Sequence, residues 1–376
     1  MKSTPAPVSR RQFLGQLSAA AAALALTPRW TRAADAPVPA KKLGVALVGL
    51  GSYSTYQLGP ALRKTRHCRL TGVVTGDRAK GHRWARDYGF SEKNIFGYDT
   101  MAQIAGNPDI DVVYVVTPNG LHAEHSIAAA RAGKHVICEK PMANTAAECD
   151  AIIAACRSAG VQLMIGYRLH FEPHHLELAR IGREQEFGPF LRMKGANGFR
   201  MGSEGPEDHS WRLNKKLSGG GPIMDMGVYV IQAVCMAKGE AAPVAVTAKF
   251  DPIERPELFR EVEESMHWTM EYADGAVANC HASYAENLSY FRAEAARGWA
   301  EIEHFDYSGQ KLTTSKGPRK FPAVNHQLVQ LDGMAECLLT GRPSPVPGEM
   351  GRRDVAVIDA VFASARAGGA RVEVKA

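Results

Sequence analysis

Short apolar runs that stop at a glycine or a polar turn recur through the first part of the chain. Residues 43–49, 70–75, 111–117, 135–138 and 162–165 each have the length and unbroken hydrophobicity of a strand covered on both faces. Residues 82–88, 122–132 and 146–159 lie between them and space their apolar positions as helices do. Strand and helix alternating in this way predict an α/β Rossmann domain, a doubly wound parallel sheet over residues 37–166, with ligands at the carboxyl ends of its strands.

The rhythm changes after Gly166. Residues 190–194, 244–250, 265–272, 276–284 and 300–303 read as strands joined by turns, Asp274-Gly275 among them. They predict an α+β C-terminal domain, residues 167–376, built on a large, mostly antiparallel sheet. Helical patterns at 224–237, 324–340 and 354–367 are expected to cover one face of that sheet. The other face is then left for a partner subunit.

Composition adds little against this: with 45% hydrophobic and 22% charged residues, 376 residues suffice for two ordinary domains. Of the formal charge of +6, a net +4 sits in residues 1–36, where Lys2, Arg10, Arg11, Arg29 and Arg32 face only Asp35. The remainder is close to neutral and has no clustered basic field, which excludes nucleic acid as a partner. Ser9-Arg10-Arg11-Gln12-Phe13-Leu14, an apolar stretch at 17–26 and the small-residue site Ala34-Asp35-Ala36 have the order of a cleaved twin-arginine export signal. Its apolar core is much shorter than the roughly 20 residues that cross a bilayer, and no later stretch is read as reaching that length. The expectation is a periplasmic protein, exported folded, without a membrane anchor. The seven cysteines show no CxxC spacing and lie mostly in apolar runs, so neither a structural disulfide nor a zinc site is expected.

Candidate chemistry begins at Gly49-Leu50-Gly51-Ser52-Tyr53-Ser54, which follows the first strand and opens a helix. The two glycines let the backbone approach a pyrophosphate at the helix N-terminus, and Ser54 stands where the fingerprint has its third glycine. The second strand ends without the acid that usually binds an NAD ribose. In its place Thr75-Gly76-Asp77-Arg78-Ala79-Lys80 offers a hydroxyl, backbone amides and two cations suited to a 2′-phosphate, with Asp77 alone arguing for NAD. NADP is therefore the expected cofactor. Thr117-Pro118-Asn119 with His122, and Glu139-Lys140-Pro141, close two later strands on the same edge and are placed near the nicotinamide.

Together with Gly49-Leu50-Gly51, Thr117-Pro118-Asn119 and Cys138-Glu139-Lys140-Pro141, the segments Met164-Ile165-Gly166-Tyr167-Arg168 and Gly219-Gly220-Gly221-Pro222-Ile223-Met224-Asp225-Met226-Gly227-Val228-Tyr229 carry a resemblance over nearly all of the mature chain. It resembles the glucose-fructose oxidoreductase and inositol dehydrogenase (Gfo/Idh/MocA) family. Tyr229, Ser210-Trp211-Arg212-Leu213 and Lys80 make it most similar to the exported branch of glucose-fructose and aldose-aldose oxidoreductases, which keep a tightly bound NADP.

That resemblance implies a catalytic lysine at Lys140, with Asp225 and Tyr229 as its substrate-side partners. Asp225 and Tyr229 stand four apart and are expected on one helical face. It also implies cofactor contacts from Arg168, Trp211 and Arg212, and substrate contacts from Tyr167, Arg168 and His170. Oxidising a cyclic aldose at C1 needs a base at the anomeric hydroxyl, a role given to Tyr229. A free tyrosine, with a pKa of about 10, is a poor base, so Lys140 is expected to favour its phenolate while Asp225 orients sugar and lysine. With no free nicotinamide cofactor expected outside the cytoplasm, the implied cycle is ping-pong: one sugar reduces the bound cofactor and a second, aldose or ketose, reoxidises it. His170, His174 and His175 gather round Glu172, but their spacing matches no standard metal site and the chemistry needs none. Other readings stay open: an NAD(P)-dependent sugar or inositol dehydrogenase, an NAD-dependent glycosidase of the same family, and a sugar-binding module that is not an enzyme. The family implies a homodimer or homotetramer.

Overall fold

A computed structural model describes residues 41–202 and 210–375, so the expected export signal at 1–36 lies outside the described residues. β1 (Leu43–Val48), β2 (Cys68–Val74), β3 (Ile95–Phe96), β4 (Val112–Val115), β5 (His135–Cys138) and β6 (Leu163–Ile165) form one sheet in the order β3-β2-β1-β4-β5-β6. Every pairing in it is parallel. All residues of β1 and β4 are buried, as strands covered by helices on both faces must be. The order reverses between β1 and β4, which opens a crevice at the carboxyl ends of these strands.

The second sheet has nine strands in the order β14-β13-β12-β11-β7-β10-β9-β8-β15. These are β7 (Arg192–Gly198), β8 (Ala245–Phe250), β9 (Ser265–Glu271), β10 (Val277–Ser283), β11 (Leu288–Ala295), β12 (Gly298–Glu303), β13 (Lys311–Thr314), β14 (Gly317–Arg319) and β15 (Val372–Glu373). Only β7 and β10 run parallel; the rest is antiparallel. Along β9, Met266, Trp268 and Met270 are buried while His267, Thr269 and Glu271 face the open side, the alternation of a sheet packed on one face. The helix Val228–Ala237 lies on the closed side: Gly195 of β7 packs against Val230, and Gly227, just before the helix, against Trp268 and Ala282.

The stretch Lys215–Ala237 is long and apolar enough to span a membrane, contrary to the expectation that no later segment reaches that length; it is 89% buried in protein, as a core element is. The helix Gly348–Arg366 returns to the first sheet. Gly348 sits against Leu163 and Ile153, Gly351 against Met142 and Ile165, and Ser364 Oγ accepts the Ala248 amide of β8. All seven cysteines are free and buried.

Candidate active site

β1 ends at Gly49, whose φ of +95° is a left-handed conformation that favours glycine; a Cβ there would meet the Val116 carbonyl at 3.0 Å. Gly51 and Ser52 follow at the exposed tip, and the chain winds into a π-helical turn, Ser54–Leu58. The hydroxyl of buried Ser54 donates to the Gly49 carbonyl at 2.7 Å, closing the turn from the position where a third glycine was looked for. At the end of β2, Thr75 Oγ accepts the Asp77 amide, and Asp77 caps the helix Arg78–Tyr88 by accepting the Lys80 amide at 2.9 Å. Thr75, Gly76 and Arg78 line a cleft with Tyr98 and Thr100, and Lys80 lies one turn along the helix.

A second pocket gathers Tyr53, Thr117, Asn119, His122, Glu139, Lys140, Trp211, Arg212, Asp225 and Tyr229, all expected site residues, and adds Val116 and Tyr307. The turns after β4 and β5 are fastened together. His122 places Nε2 at 2.7 Å from the Thr117 carbonyl and Nδ1 at 2.9 Å from that of Pro141, beside Pro118. Burial pushes this imidazole down to about 4, although both carbonyls would rather meet an N–H. Asn119 Nδ2 reaches across to the Ser218 carbonyl and so joins the first domain to the glycine-rich segment of the second. Glu139 accepts the Tyr114 hydroxyl at 2.6 Å and the Lys140 amide at 3.1 Å, and burial raises its carboxyl above the usual range. Gly166 is required here: a Cβ would stand 2.6 Å from Glu139 Oε1.

Lys140 is the centre of the pocket. Its Nζ donates to Asp225 Oδ1 at 3.0 Å and to the Asp225 carbonyl at 2.9 Å, and lies 4.6 Å from the centroid of the Tyr229 ring. Arg212 Nε donates to the second Asp225 oxygen at 2.8 Å, and its guanidinium stacks on Trp211. Burial disfavours the charged forms of Lys140 and Asp225, but each is outweighed by its partners: Lys140 is raised by Tyr229, Asp225 and Glu139, and Asp225 is held below the carboxylate range by Arg212 and Lys140. Both are therefore charged at neutrality. Asp225 lies in a π-helical turn, Ile223–Gly227, which leads into the helix carrying Tyr229, and both side chains line the pocket.

Arg168 stands behind the wall. It is buried, donates to the Asp306 carbonyl and His326, also bonds the Phe305 carbonyl, and lays its guanidinium 4.9 Å from the Tyr229 centroid and 4.6 Å from that of Tyr307. Tyr229 thus has one cation from each domain over its ring. Three expected substrate contacts, Arg168, Tyr167 and His170, lie outside the residues that line the pocket. Tyr167 is buried and stacks on His170, and His170 Nε2 turns to Glu240 at 3.3 Å, so neither lines the pocket. The histidines around Glu172 also have a different purpose. Glu172 caps the helix Pro173–Glu184 through the His175 amide and holds both His174 Nδ1 and His175 Nδ1, which bring it, despite burial, down to about 2.

Tyr307 was missed because it sits in an irregular segment with no periodicity, whereas Arg168 was expected at the site and is found clamping the Tyr229 and Tyr307 rings from behind. Tyr284 was also missed; its hydroxyl stands 3.4 Å from Asp225 Oδ2 from the end of β10. The alternation of β10 pointed to the strand, but gave no chemistry to its last aromatic.

Residues 43–167 match the "Oxidoreductase family, NAD-binding Rossmann fold" of the GFO/IDH/MocA group, and residues 175–302 match its C-terminal domain. The chain belongs to this family of oxidoreductases. Its structure is similar to the crystal structure of aldose-aldose oxidoreductase from Caulobacter crescentus complexed with glycerol, with 40% identity, a TM-score of 0.84 and coverage of 89% of this chain and 100% of the other. In sequence it is similar to D-xylose 1-dehydrogenase [NADP(+)] of Haloarcula marismortui, 29% identical over 84% of this chain and 89% of that one. A 1,5-anhydro-D-fructose reductase of Ensifer adhaerens is 27% identical over 65% of this chain and 70% of its own length.

Proposed function

We propose that this sugar oxidoreductase oxidises cyclic aldoses at C1 to aldonolactones and passes the reducing equivalent to a second sugar, with NADP held throughout the cycle. The observation that carries the reading is the Lys140–Asp225 ion pair under the face of Tyr229, facing the glycine turn that follows β1. The glycine turn, Thr117 and Asn119 fit a dinucleotide: Gly49 lets β1 turn tightly against the Val116 carbonyl, and exposed Gly51 leaves the tip without a side chain where a pyrophosphate would approach. The nicotinamide, when bound, supplies the hydride acceptor and donor.

The chain's own groups manage the proton. Tyr229 takes it from the anomeric hydroxyl and returns it to the carbonyl oxygen of the second sugar. Lys140 and Arg168, over the ring, give a setting in which that transfer proceeds with cations already in place and little reorganisation. Asp225 holds Lys140 by two acceptors and is itself fixed by Arg212, so the ammonium has one position and still keeps a donor for the sugar oxygen. Preference for NADP is supported at Thr75: Asp77 spends its carboxylate on the helix cap, while Arg78 lines the cleft where a 2′-phosphate would lie and Lys80 follows in the first turn of the same helix. Export through the twin-arginine segment and assembly as a homodimer or homotetramer complete the proposal.

The test is absorbance of purified protein at the reduced-nicotinamide band while aldoses are added singly, followed by a ketose or a second aldose. A rise on the first sugar and a return on the second, with no nucleotide added and NADP released on denaturation, is expected. An empty protein, a stoichiometric requirement for added nucleotide, or sequential kinetics would overturn the ping-pong cycle.

A further inference from the structure

The open face of the nine-stranded sheet carries a cluster with no part in the reaction. His267 of β9 and His281 of β10 are directly opposed across an antiparallel pair, their rings parallel within 4° and 3.9 Å apart. Asp251 follows β8 and extends its ladder, its amide donating to the Ser265 carbonyl. Its carboxylate turns to both rings: Oδ1 lies 2.9 Å from His267 Nδ1, and Oδ2 lies 3.6 Å from His281 Nε2. One donor atom from each residue falls within 4.8 Å of the other two.

Two features distinguish this from a surface ion pair. His281 Nε2 is buried and makes no hydrogen bond, a state that leaves a polar atom in want of a partner. The two histidines also come from neighbouring strands whose register is fixed, and Asp251 is tied to the same ladder by its amide, so the spacing of the donors is set largely by the sheet. In a tetrahedral zinc site, with Zn–N and Zn–O bonds of about 2.0–2.2 Å, donors stand about 3.3–3.5 Å apart. Stacked rings direct their lone pairs in parallel planes, so each imidazole must tilt out of the stack for both nitrogens to meet one ion, with the Asp251 carboxylate following.

We propose that Asp251, His267 and His281 form a binding site for a divalent transition ion, zinc by its donor set, with water completing the coordination. The ion takes the lone pairs of His267 Nδ1 and His281 Nε2 and one Asp251 oxygen; His267 then carries its proton on Nε2. Burial and the neighbouring His267 hold His281 below the usual histidine range, so its ring is neutral and able to ligate at pH 7. Lys194 and Lys249 share the same cleft and oppose a cation. The Lys249 stem runs toward Gly369, its Cε 3.4 Å from the place a Cβ would occupy there, which draws its charge aside. The site clips β8, β9 and β10 together on the face opposite Tyr229.

The experiment is titration of the chelator-treated full chain, without a polyhistidine tag, with zinc against a chromophoric chelator, and with cobalt(II) read by its d–d absorption. One saturable equivalent with tetrahedral cobalt bands is expected. His281→Gln, His267→Ala and Asp251→Asn each weaken it about tenfold or more, and Lys249→Met tightens it. Sugar-dependent cofactor reduction stays at the wild-type rate in all four, which also certifies their folding. No saturable binding, or one equivalent whose affinity His281→Gln leaves unchanged, overturns the site.

Discussion

Tyr229 and Lys140 meet face to ammonium, 4.6 Å from ring centroid to Nζ, and this defines what single substitutions should do. Tyr229→Phe keeps the ring that both cations rest on and removes only the hydroxyl. Turnover should fall about 10²–10⁴-fold, the usual contribution of a positioned acid–base group, with cofactor still bound; stopped-flow absorbance separates the two, and full activity would remove Tyr229 from the chemistry. Glu263 gives a stability prediction of opposite character. Burial raises its carboxyl to about 7, while the amides of Gly221 and Ile223 pull the other way. The unfolded chain releases this proton near the ordinary value of about 4.3 and the folded chain near 7, so stability falls as pH rises through that window and levels off above it, by roughly 3 kcal/mol in all. Glu263→Gln removes that fall. Its melting temperature should exceed the wild type's by more at pH 8 than at pH 5, and parallel profiles would refute the assignment.

Elements were legible in the sequence where burial was uniform. β1 and β4 are apolar and buried throughout, β5 is so after His135, and their residue ranges agree closely with the runs that foretold them. β3 has only two residues, Ile95 and Phe96, too few to show any period. β11 escaped because Tyr290, Arg292 and Glu294 interrupt it on the open face, a polar alternation shared with ordinary loops. The helix Pro173–Glu184 was not singled out, and its histidines, whose spacing matched no metal site, serve the Glu172 cap. The turns holding Lys140 and Asn119 were found because strand ends on one edge of a parallel sheet converge by topology alone. Tyr307 lies between β12 and β13, and no local rule leads to it. Asp332 shows how tertiary hydrogen bonds set a helix in place: from within His326–Thr340 its Oδ1 accepts the amides of Arg66 and His67 at 2.8 and 3.0 Å, pinning the turn before β2. Asp332→Ala strands both amides. A loss of about 1–3 kcal/mol is expected in denaturant unfolding, and an unchanged midpoint would show that water replaces the carboxylate without penalty.

At the scale of the whole molecule, the cysteines report how closed the interior is. All seven are free and buried, and burial raises the thiols of Cys68, Cys138 and Cys235 to about 12. A disulfide reagent should find almost none in the native protein and seven after unfolding without reductant; fewer than seven would mean that oxidation has paired some of them. The helix Gly348–Arg366 has a broader consequence. Its early glycines seat on Ile153, Leu163, Met142 and Ile165 of the first domain, while Ser364 and Phe362 grip β8 and Phe250 of the second. A helix far along the sequence therefore roofs the first domain, and a chain ending at Gly166 would present that apolar patch to water. A chain cut before Gly348 would likewise leave Ile153, Leu163, Met142 and Ile165 without the glycine face that seats on them.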